Sequence, residues 1–276
     1  MAHTSCYHPM NIKNITNEHS AHLVEVFSAI QGEGLNVGTR QIFIRFALCD
    51  LRCLFCDSAH TWNTPKVFRI ERSPGLRDFK TYSNPVSLEQ LLKWTERLNA
   101  PFIHDSISLT GGEPLIHASF LSKFLPQVRT RTKLPIYLET GGHLPQQLSQ
   151  VIPDLDLVGM DLKLPSVSGE NHWQEHTTFL QLCYQSNLEV FVKIIVSENT
   201  ELADLQKAGE LVGAVSPDIP LFLQPVTPLK NSTGSMTEKI IISPTPDQVL
   251  QWQASLKEFV KQVRVVPQTH KMLNQL

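Results

Sequence analysis

The stretch Cys49-Asp50-Leu51-Arg52-Cys53-Leu54-Phe55-Cys56 puts three cysteines within eight residues, directly after an apolar run from Ile42 to Phe46 that reads as a buried strand. That spacing lets one loop aim three thiolates at one point, which is how a protein holds an iron–sulfur cluster. A 4Fe–4S cube takes four ligands, so three nearby cysteines leave one iron open to bind something else. Zinc is the rival reading. His60 lies four residues beyond Cys56, and Cys49, Cys53, Cys56 and His60 would close a tetrahedral structural site. Further on the chain reads Ser108-Leu109-Thr110-Gly111-Gly112-Glu113-Pro114, a strand end followed by a glycine pair, for which a zinc knuckle has no use.

The 276 residues make one large domain or two small ones, and 41% hydrophobic residues supply a sizeable core. A formal net charge of −2 gives no basic footprint, so nucleic acid is not the expected partner. No apolar run approaches membrane-spanning length, and the N-terminal residues show no apolar core of a secretory signal. A cytoplasmic location is therefore expected. Five cysteines, three of them clustered, fit metal binding in a reducing compartment better than a disulfide framework.

Residues 1–21 are polar and unpatterned and read as a flexible tail in which Cys6 is incidental; 22–276 read as a single domain. His22 to Ile30 reads as a first strand running into Gln31-Gly32-Glu33-Gly34, whose glycines mark a turn. Residues 62–85 hold charges and prolines, with Val67 to Ile70 alone strand-like, and read as an inserted surface excursion. Ser87 caps a helix reaching Asn99. Thereafter apolar runs at 106–109, 136–139, 155–160, 190–196, 221–223 and 263–266 alternate with helical stretches near 117–130, 144–151, 170–186, 200–213 and 246–261. Such alternation argues for βαβ units and a mostly parallel α/β sheet, either open or closed toward a barrel. The histidines at 104, 117, 172 and 176 read as helix-surface or loop residues, and Cys183 as a small core residue.

The unusual residues sit at or just after strand ends: Cys49, Thr110 to Glu113, Glu139-Thr140-Gly141, Asp161-Leu162-Lys163 and Gln224-Pro225. In parallel α/β barrels the C-terminal strand ends form the active face. Five polar sites would thus converge on one mouth.

Cys-x3-Cys-x2-Cys after one strand and Gly-Gly-Glu-Pro after the next resemble the radical S-adenosylmethionine enzymes. Gln31-Gly32-Glu33-Gly34, Phe43-Ile44-Arg45-Phe46, Cys56-Asp57-Ser58, Glu139-Thr140-Gly141-Gly142 and Gln268-Thr269-His270-Lys271 resemble, within that group, the 7-carboxy-7-deazaguanine synthase family. The likeness runs from about residue 24 to 276, outside the 62–85 excursion. It implies an incomplete TIM-type barrel and a 4Fe–4S cluster on Cys49, Cys53 and Cys56. It also implies S-adenosylmethionine chelated at the open iron and cleaved to a 5′-deoxyadenosyl radical, with the cofactor carrying the hard step.

The same likeness implies contacts to S-adenosylmethionine from Gly112, Asp161, Leu162, Lys163 and Gln224. Glu113 would meet the methionine ammonium, and Phe55 would shield the cube or pack near the adenine, unless it is ordinary core. Asp161 and Lys163 have the alternative of a plain surface ion pair. The implied substrate is 6-carboxy-5,6,7,8-tetrahydropterin, whose carboxylate suits the fork of Arg45, with Ile30, Gln31, Gly32 and Thr110 lining the pterin. Glu33 is either a hydrogen-bonding group in that pocket or a loop carboxylate in water. Ser58 stands where the family usually has a threonine whose hydroxyl binds Mg²⁺, and serine offers the same hard oxygen or a helix cap. Residues 267–276 would fold over the mouth, bringing His270 and the Leu276 carboxylate to the substrate. The likeness further implies an electron donor such as flavodoxin or ferredoxin, and a homodimer. Rival readings are a glycyl-radical activase, which shares the cysteine and glycine loops, and a non-catalytic zinc-binding protein.

Overall fold

The computed structural model describes residues 17–230 and 240–275. Cys6, Leu276 and residues 1–16 of the expected tail lie outside the described residues. The described chain opens with β1 (Ser20–Ala21) and β2 (Leu23–Ile30), then β3 (Arg40–Phe46), β4 (Val67–Glu71), β5 (Phe79–Ser83) and β6 (Val86–Ser87). Helices and strands then alternate through α1 (Leu88–Asn99), β7 (Ser106–Gly111), α2 (Ala118–Thr132), β8 (Ile136–Thr140), α3 (Pro145–Leu148), β9 (Leu157–Asp161), α4 (Pro165–Ser168), α5 (Trp173–Gln185), β10 (Glu189–Val196), α6 (Leu202–Val215) and β11 (Leu221–Pro225). They are followed by β12 (Leu229–Lys230), β13 (Ile240–Ile241), α7 (Pro246–Leu256), β14 (Val263–Val265) and α8 (Thr269–Met272).

Two of the helices begin where side chains replace missing backbone partners. Ser87 and Gln90 form a capping box at the start of α1, and Thr245 and Gln248 form another at α7, where Pro246 occupies the first turn. The apolar stripe of α1, including Leu91, Leu92 and Leu98, is fully buried.

The main sheet runs in the order β14-β11-β10-β9-β8-β7-β3-β2-β4-β5 and does not close, so the α/β fold is an incomplete barrel. From β3 to β14 every pairing is parallel, as the helical crossovers require. Strand alternation divides the two faces. On β10, Val190, Val192, Ile194 and Val196 pack outward into the main core under the helices, while Phe191, Lys193 and Ile195 point the other way, into the barrel. The inward layer of Tyr137, Leu157, Phe191 and Phe222 forms an apolar floor. Further toward the C-terminal strand ends the inward positions include Glu139, Gly159, Asp161, Lys193 and Gln224. Chemistry-bearing residues therefore stand directly on a greasy plug.

Three expectations are corrected. The 62–85 excursion carries a hairpin, β4 and β5, and β4 pairs parallel with β2, so the segment extends the main sheet. Its polar residues mislead because an edge hairpin turns alternate side chains to water, as Val67, Arg69 and Phe68, Ile70 do in opposite senses. The tail is ordered by Ser20: β1 pairs with β6, and Ala21 is fully buried. Finally, His104, His117 and His176 are buried. Each imidazole Nε2 has a short-range partner, respectively Ser28 Oγ at 2.8 Å, the Ala47 carbonyl at 2.9 Å and the Gly141 carbonyl at 3.1 Å. One hydrogen bond satisfies enough of a neutral ring to make burial tolerable.

Burial drives the His117 pKa down to about 4, against a smaller opposing effect of the Ala47 carbonyl. A base with a depressed native pKa contributes stability above its ordinary value of 6.5, and that contribution drains as pH falls from 6.5 toward 4. His117→Gln removes the linkage while retaining a donor for Ala47. Between pH 7.5 and 4.5 the wild type should lose about 2–3 kcal/mol more unfolding free energy than the variant, measured by urea denaturation of the apoprotein. Parallel curves would exclude a neutral buried His117.

Candidate active site

One cavity of about 470 Å³ opens at the C-terminal strand ends. Its wall joins Cys49, Cys53 and Cys56 to Ile30, Gln31, Gly32, Arg45, Thr110, Glu139, Asp161, Lys163, Lys193, Gln224 and His270, with Ser58, Phe55, Gly112 and Glu113 among the other lining residues. The five strand-end sites thus meet at one mouth. Leu162 is the exception. Its backbone N–H bonds the Lys193 carbonyl at 2.8 Å while its side chain is buried in the main core.

The three cysteines are unpaired and each is partly exposed to the cavity. Burial pushes the Cys53 thiol up to about 11, with the Lys163 charge pulling it partly back, and burial raises Cys49 and Cys56 as well. Thiolates at this position therefore require a cationic ligand to displace their protons, which iron supplies. A tetrahedral site with His60 is not formed. The 3₁₀ turn Ala59–Thr61 carries His60 outward, and among the described residues no three His, Cys, Asp or Glu side chains converge as a single ion would need. A cube spreads its ligands over separate corners, so the cysteine arrangement fits a cluster better than an ion.

The glycine pair serves the loop itself. A Cβ on Gly112 would lie 2.0 Å from the Leu48 carbonyl oxygen, and Gly111, at φ +130°, would press one to 2.2 Å from that of Phe46. Absent side chains let the end of β7 pack directly against the start of the cysteine loop, fastened by Glu113 N–H to Leu48 O at 2.7 Å. The Glu113 carboxylate is fully committed within the protein. It accepts from Thr140 Oγ1 at 2.8 and 3.0 Å, from Gly141 N–H at 2.8 Å and from Leu115 N–H at 3.0 Å. Burial raises its pKa against the lowering effect of His143 and these amides.

Asp161 and Lys163 form an ion pair at 2.8 Å, but a buried one, with side chains 15% and 11% exposed. Lys163 also lies 5.1 Å from the centre of the Phe55 ring, which is itself part of the core. Asp161 Oδ1 and Gln224 Oε1 are buried without a hydrogen-bond partner among the described residues. Orphaned acceptors on a cavity wall are what a ligand with donors would complete, and this fits the ammonium and hydroxyls of S-adenosylmethionine.

Arg45 gives its Nε to Glu25 Oε1 at 2.8 Å, and Glu25 also holds Arg69 at 2.6 Å, so the guanidinium is braced from behind. Gln31 is locked: its amide donates to Glu139 Oε1 at 2.6 Å and Gln41 Oε1 at 3.1 Å, while its oxygen accepts from Gly32 and Glu33 N–H. Thr110 Oγ1 donates to Glu139 Oε2 at 3.1 Å. Burial, partly offset by Lys193, raises the Glu139 pKa. Glu33 is no solvated loop carboxylate, because it pairs with Lys193 and accepts from Gln268 Nε2 at 2.8 Å. Ser58 Oγ donates to Asp57 Oδ1 at 3.0 Å and makes no helix cap.

Residues 268–271 line the mouth. Thr269 N–H bonds Gly32 O at 3.0 Å, Gln268 Nε2 reaches Asp57 Oδ2 at 2.9 Å, and Lys271 Nζ reaches the same oxygen at 2.9 Å. His270 packs where a Gly32 side chain would have to stand.

Lys193 and Asp57 were given no role by sequence reasoning, and Glu139 and Gln268 only a place at the mouth. A lone lysine in the otherwise apolar run from Val190 to Val196 was the available signal for the first.

The family model described as Radical SAM superfamily matches residues 43–197. The chain is 42% identical over 260 residues to the 7-carboxy-7-deazaguanine synthase of Geobacter sulfurreducens, covering 93% of this chain and 98% of that one. It is 32% identical over 259 residues to the protein of the same name from Archaeoglobus fulgidus, covering 92% and 98%. The crystal structure of QueE from Escherichia coli superposes with a TM-score of 0.56 at 20% identity, over 95% of this chain and 99% of that one, a likeness of fold. The chain therefore belongs to the radical SAM superfamily and, within it, to the 7-carboxy-7-deazaguanine synthase family.

Proposed function

We propose that this enzyme converts 6-carboxy-5,6,7,8-tetrahydropterin to 7-carboxy-7-deazaguanine with loss of ammonia, supplying the route to queuosine-type tRNA bases. The observation that carries the reading is the single cavity in which the three-cysteine loop faces a polar slot bounded by Gln31, Thr110, Glu139 and the C-terminal segment. Cys49, Cys53 and Cys56 hold the 4Fe–4S cluster, and Asp161, Lys163 and Gln224 contact S-adenosylmethionine. When bound, these groups supply the one-electron chemistry that removes a hydrogen atom from an unactivated carbon.

The protein's own residues position and shelter the pterin. Arg45, braced by Glu25, offers its terminal nitrogens to the substrate carboxylate. The Gln31 amide, with every donor and acceptor already engaged, fixes the orientation of Glu139, and it is the Glu139 carboxyl that faces the pyrimidine edge. Holding Glu139 toward its protonated form lets it donate as well as accept. His270 lines the slot and helps to keep water out, and by family likeness His270 and the Leu276 carboxylate bind the substrate. Ser58 binds Mg²⁺ beside the substrate through its hydroxyl oxygen. Flavodoxin or ferredoxin donates the electron, and the enzyme works in the cytoplasm as a homodimer.

The C-terminal segment is also what argues against a glycyl-radical activase, since a mouth covered by residues 268–271 suits a small molecule better than a protein strand. The zinc-binding reading falls with the family assignment. The test is an anaerobic assay of the iron-loaded protein with the carboxypterin, S-adenosylmethionine and a chemical reductant, with and without Mg²⁺, read by mass spectrometry. The expected product is 7-carboxy-7-deazaguanine, formed faster with Mg²⁺. Pterin left intact, or consumed without a deazaguanine, would overturn the assignment.

A further inference from the structure

On the side away from the substrate slot, the cysteine loop rests on a polar wall built from two segments far away in sequence. His143, in the loop between β8 and α3, contacts Asp50 Oδ1 through Nε2 at 2.9 Å. Glu170, between α4 and α5, accepts the Arg52 backbone N–H on Oε1 at 2.8 Å and pairs with His172 Nε2 through Oε2 at 3.0 Å. The His143 and His172 rings lie 5.3 Å apart, so the two contacts belong to one continuous surface. The Arg52 side chain completes the arrangement by donating to the carbonyls of Cys49 and Leu51, both at 2.7 Å, with its guanidinium 5.0 Å from the Trp62 ring.

The anchors fall at positions 50 and 52, on either side of Leu51, which is the midpoint between Cys49 and Cys53. Fixing both sets the path of the chain between the first two thiols. Apolar residues would hold the loop down without desolvating polar groups. What a carboxylate on a backbone N–H adds is direction and strength. We infer that His143 and Glu170 are positioning residues for the cysteine loop, holding Cys49 and Cys53 at the separation that a cluster needs. This rests on the reading that the three cysteines ligate a cluster.

The experiment uses full-length protein reconstituted anaerobically with iron and sulfide, as wild type, His143→Ala, Glu170→Ala, His143→Gln and Glu170→Gln. Three quantities are read: the thermal midpoint of the apoprotein, the rate at which a chelator strips iron, and the electron paramagnetic resonance spectrum of the reduced cluster. Glu170, with a side chain 30% exposed, is the substitution that threatens folding least. The alanine variants should lose iron on the order of 10- to 100-fold faster than wild type, with an altered spectrum and near-native apoprotein midpoints. Glutamine should restore both readouts, since its amide can donate to Asp50 from position 143 and accept from Arg52 N–H at position 170. Alanine variants that match wild type in iron loss and spectrum overturn the inference, as does failure of both glutamines to restore them. A wild type that takes up no iron overturns the cluster reading itself, and this inference with it.

Discussion

Cys53→Ala should yield a folded protein that keeps neither cluster nor turnover. The thiol faces the cavity and is only partly packed against the core, so its loss opens little space inside the fold. The sheet and the helices that cover it do not depend on it. What is lost is one of three protein ligands, and two cysteines with no third side chain nearby cannot hold a cube. Because burial raises the Cys53 thiol, metal uptake must displace protons, and iron loading of the wild type should slow as pH falls below neutral. The checks are iron content and visible absorption after anaerobic reconstitution, product formation, and a circular-dichroism melt of the apoprotein. A melt near that of wild type together with absent product is expected. Retained turnover would remove Cys53 from the ligand set.

The parallel part of the fold was readable because its strands are buried on both faces and so appear as short apolar runs between amphipathic helices. The runs at 136–139 and 190–196 differ from β8 and β10 by a residue at one end. The placement of polar residues at the ends of those runs was readable for the same reason, since a charge directly after a buried strand has to be at a mouth. Three things were hidden. The β4–β5 hairpin was masked by its outward-facing polar residues. The burial of His104, His117 and His176 was masked because an imidazole looks alike in sequence whether one carbonyl or bulk water satisfies it. The contacts of His143 and Glu170 to the cysteine loop span sequence separations of 93 and 118 residues, and no local pattern encodes such a pair. The glycine pair was seen, and the structure adds a packing reason for it. The space it preserves is taken by the backbone of the cysteine loop at Leu48.

Lys193→Met should cause the largest loss of stability among changes at the cavity. Lys193 stands opposite Asp161 in the β10–β9 register, donates to Glu33, and lies 3.6 Å from Asp161 Oδ2, with both its own side chain and that of Glu33 14% exposed. Burial alone would lower its pKa, but Glu33, Asp161 and Glu139 together hold it above its ordinary value. Burial alone would raise Glu33, and the charge and hydrogen bond of Lys193 overcome this and hold it below 4.5. The depressed carboxylate contributes stability above 4.5 and loses it as pH falls through its native value. The raised ammonium contributes below 10.5 and loses it as pH rises through its own. At neutral pH both contributions are present.

Methionine matches the length of the lysine stem but strands Glu33 in a site with little water. The cost at pH 8 should be about 3–5 kcal/mol. It should shrink toward pH 5, where the stranded carboxyl escapes the penalty by taking a proton. Urea denaturation of the two apoproteins at pH 5 and pH 8 measures this, and a cost independent of pH would mean that Glu33 is not the group left unpaired. Activity should report the same linkage. The second Glu33 oxygen holds Gln268, whose neighbour Thr269 fastens the C-terminal segment to Gly32. Freeing that carboxylate loosens the cover of the slot, so KM for the carboxypterin should rise more than kcat falls. A fall in kcat with KM unchanged would instead place Lys193 at the reacting atoms and leave the C-terminal cover out of its role.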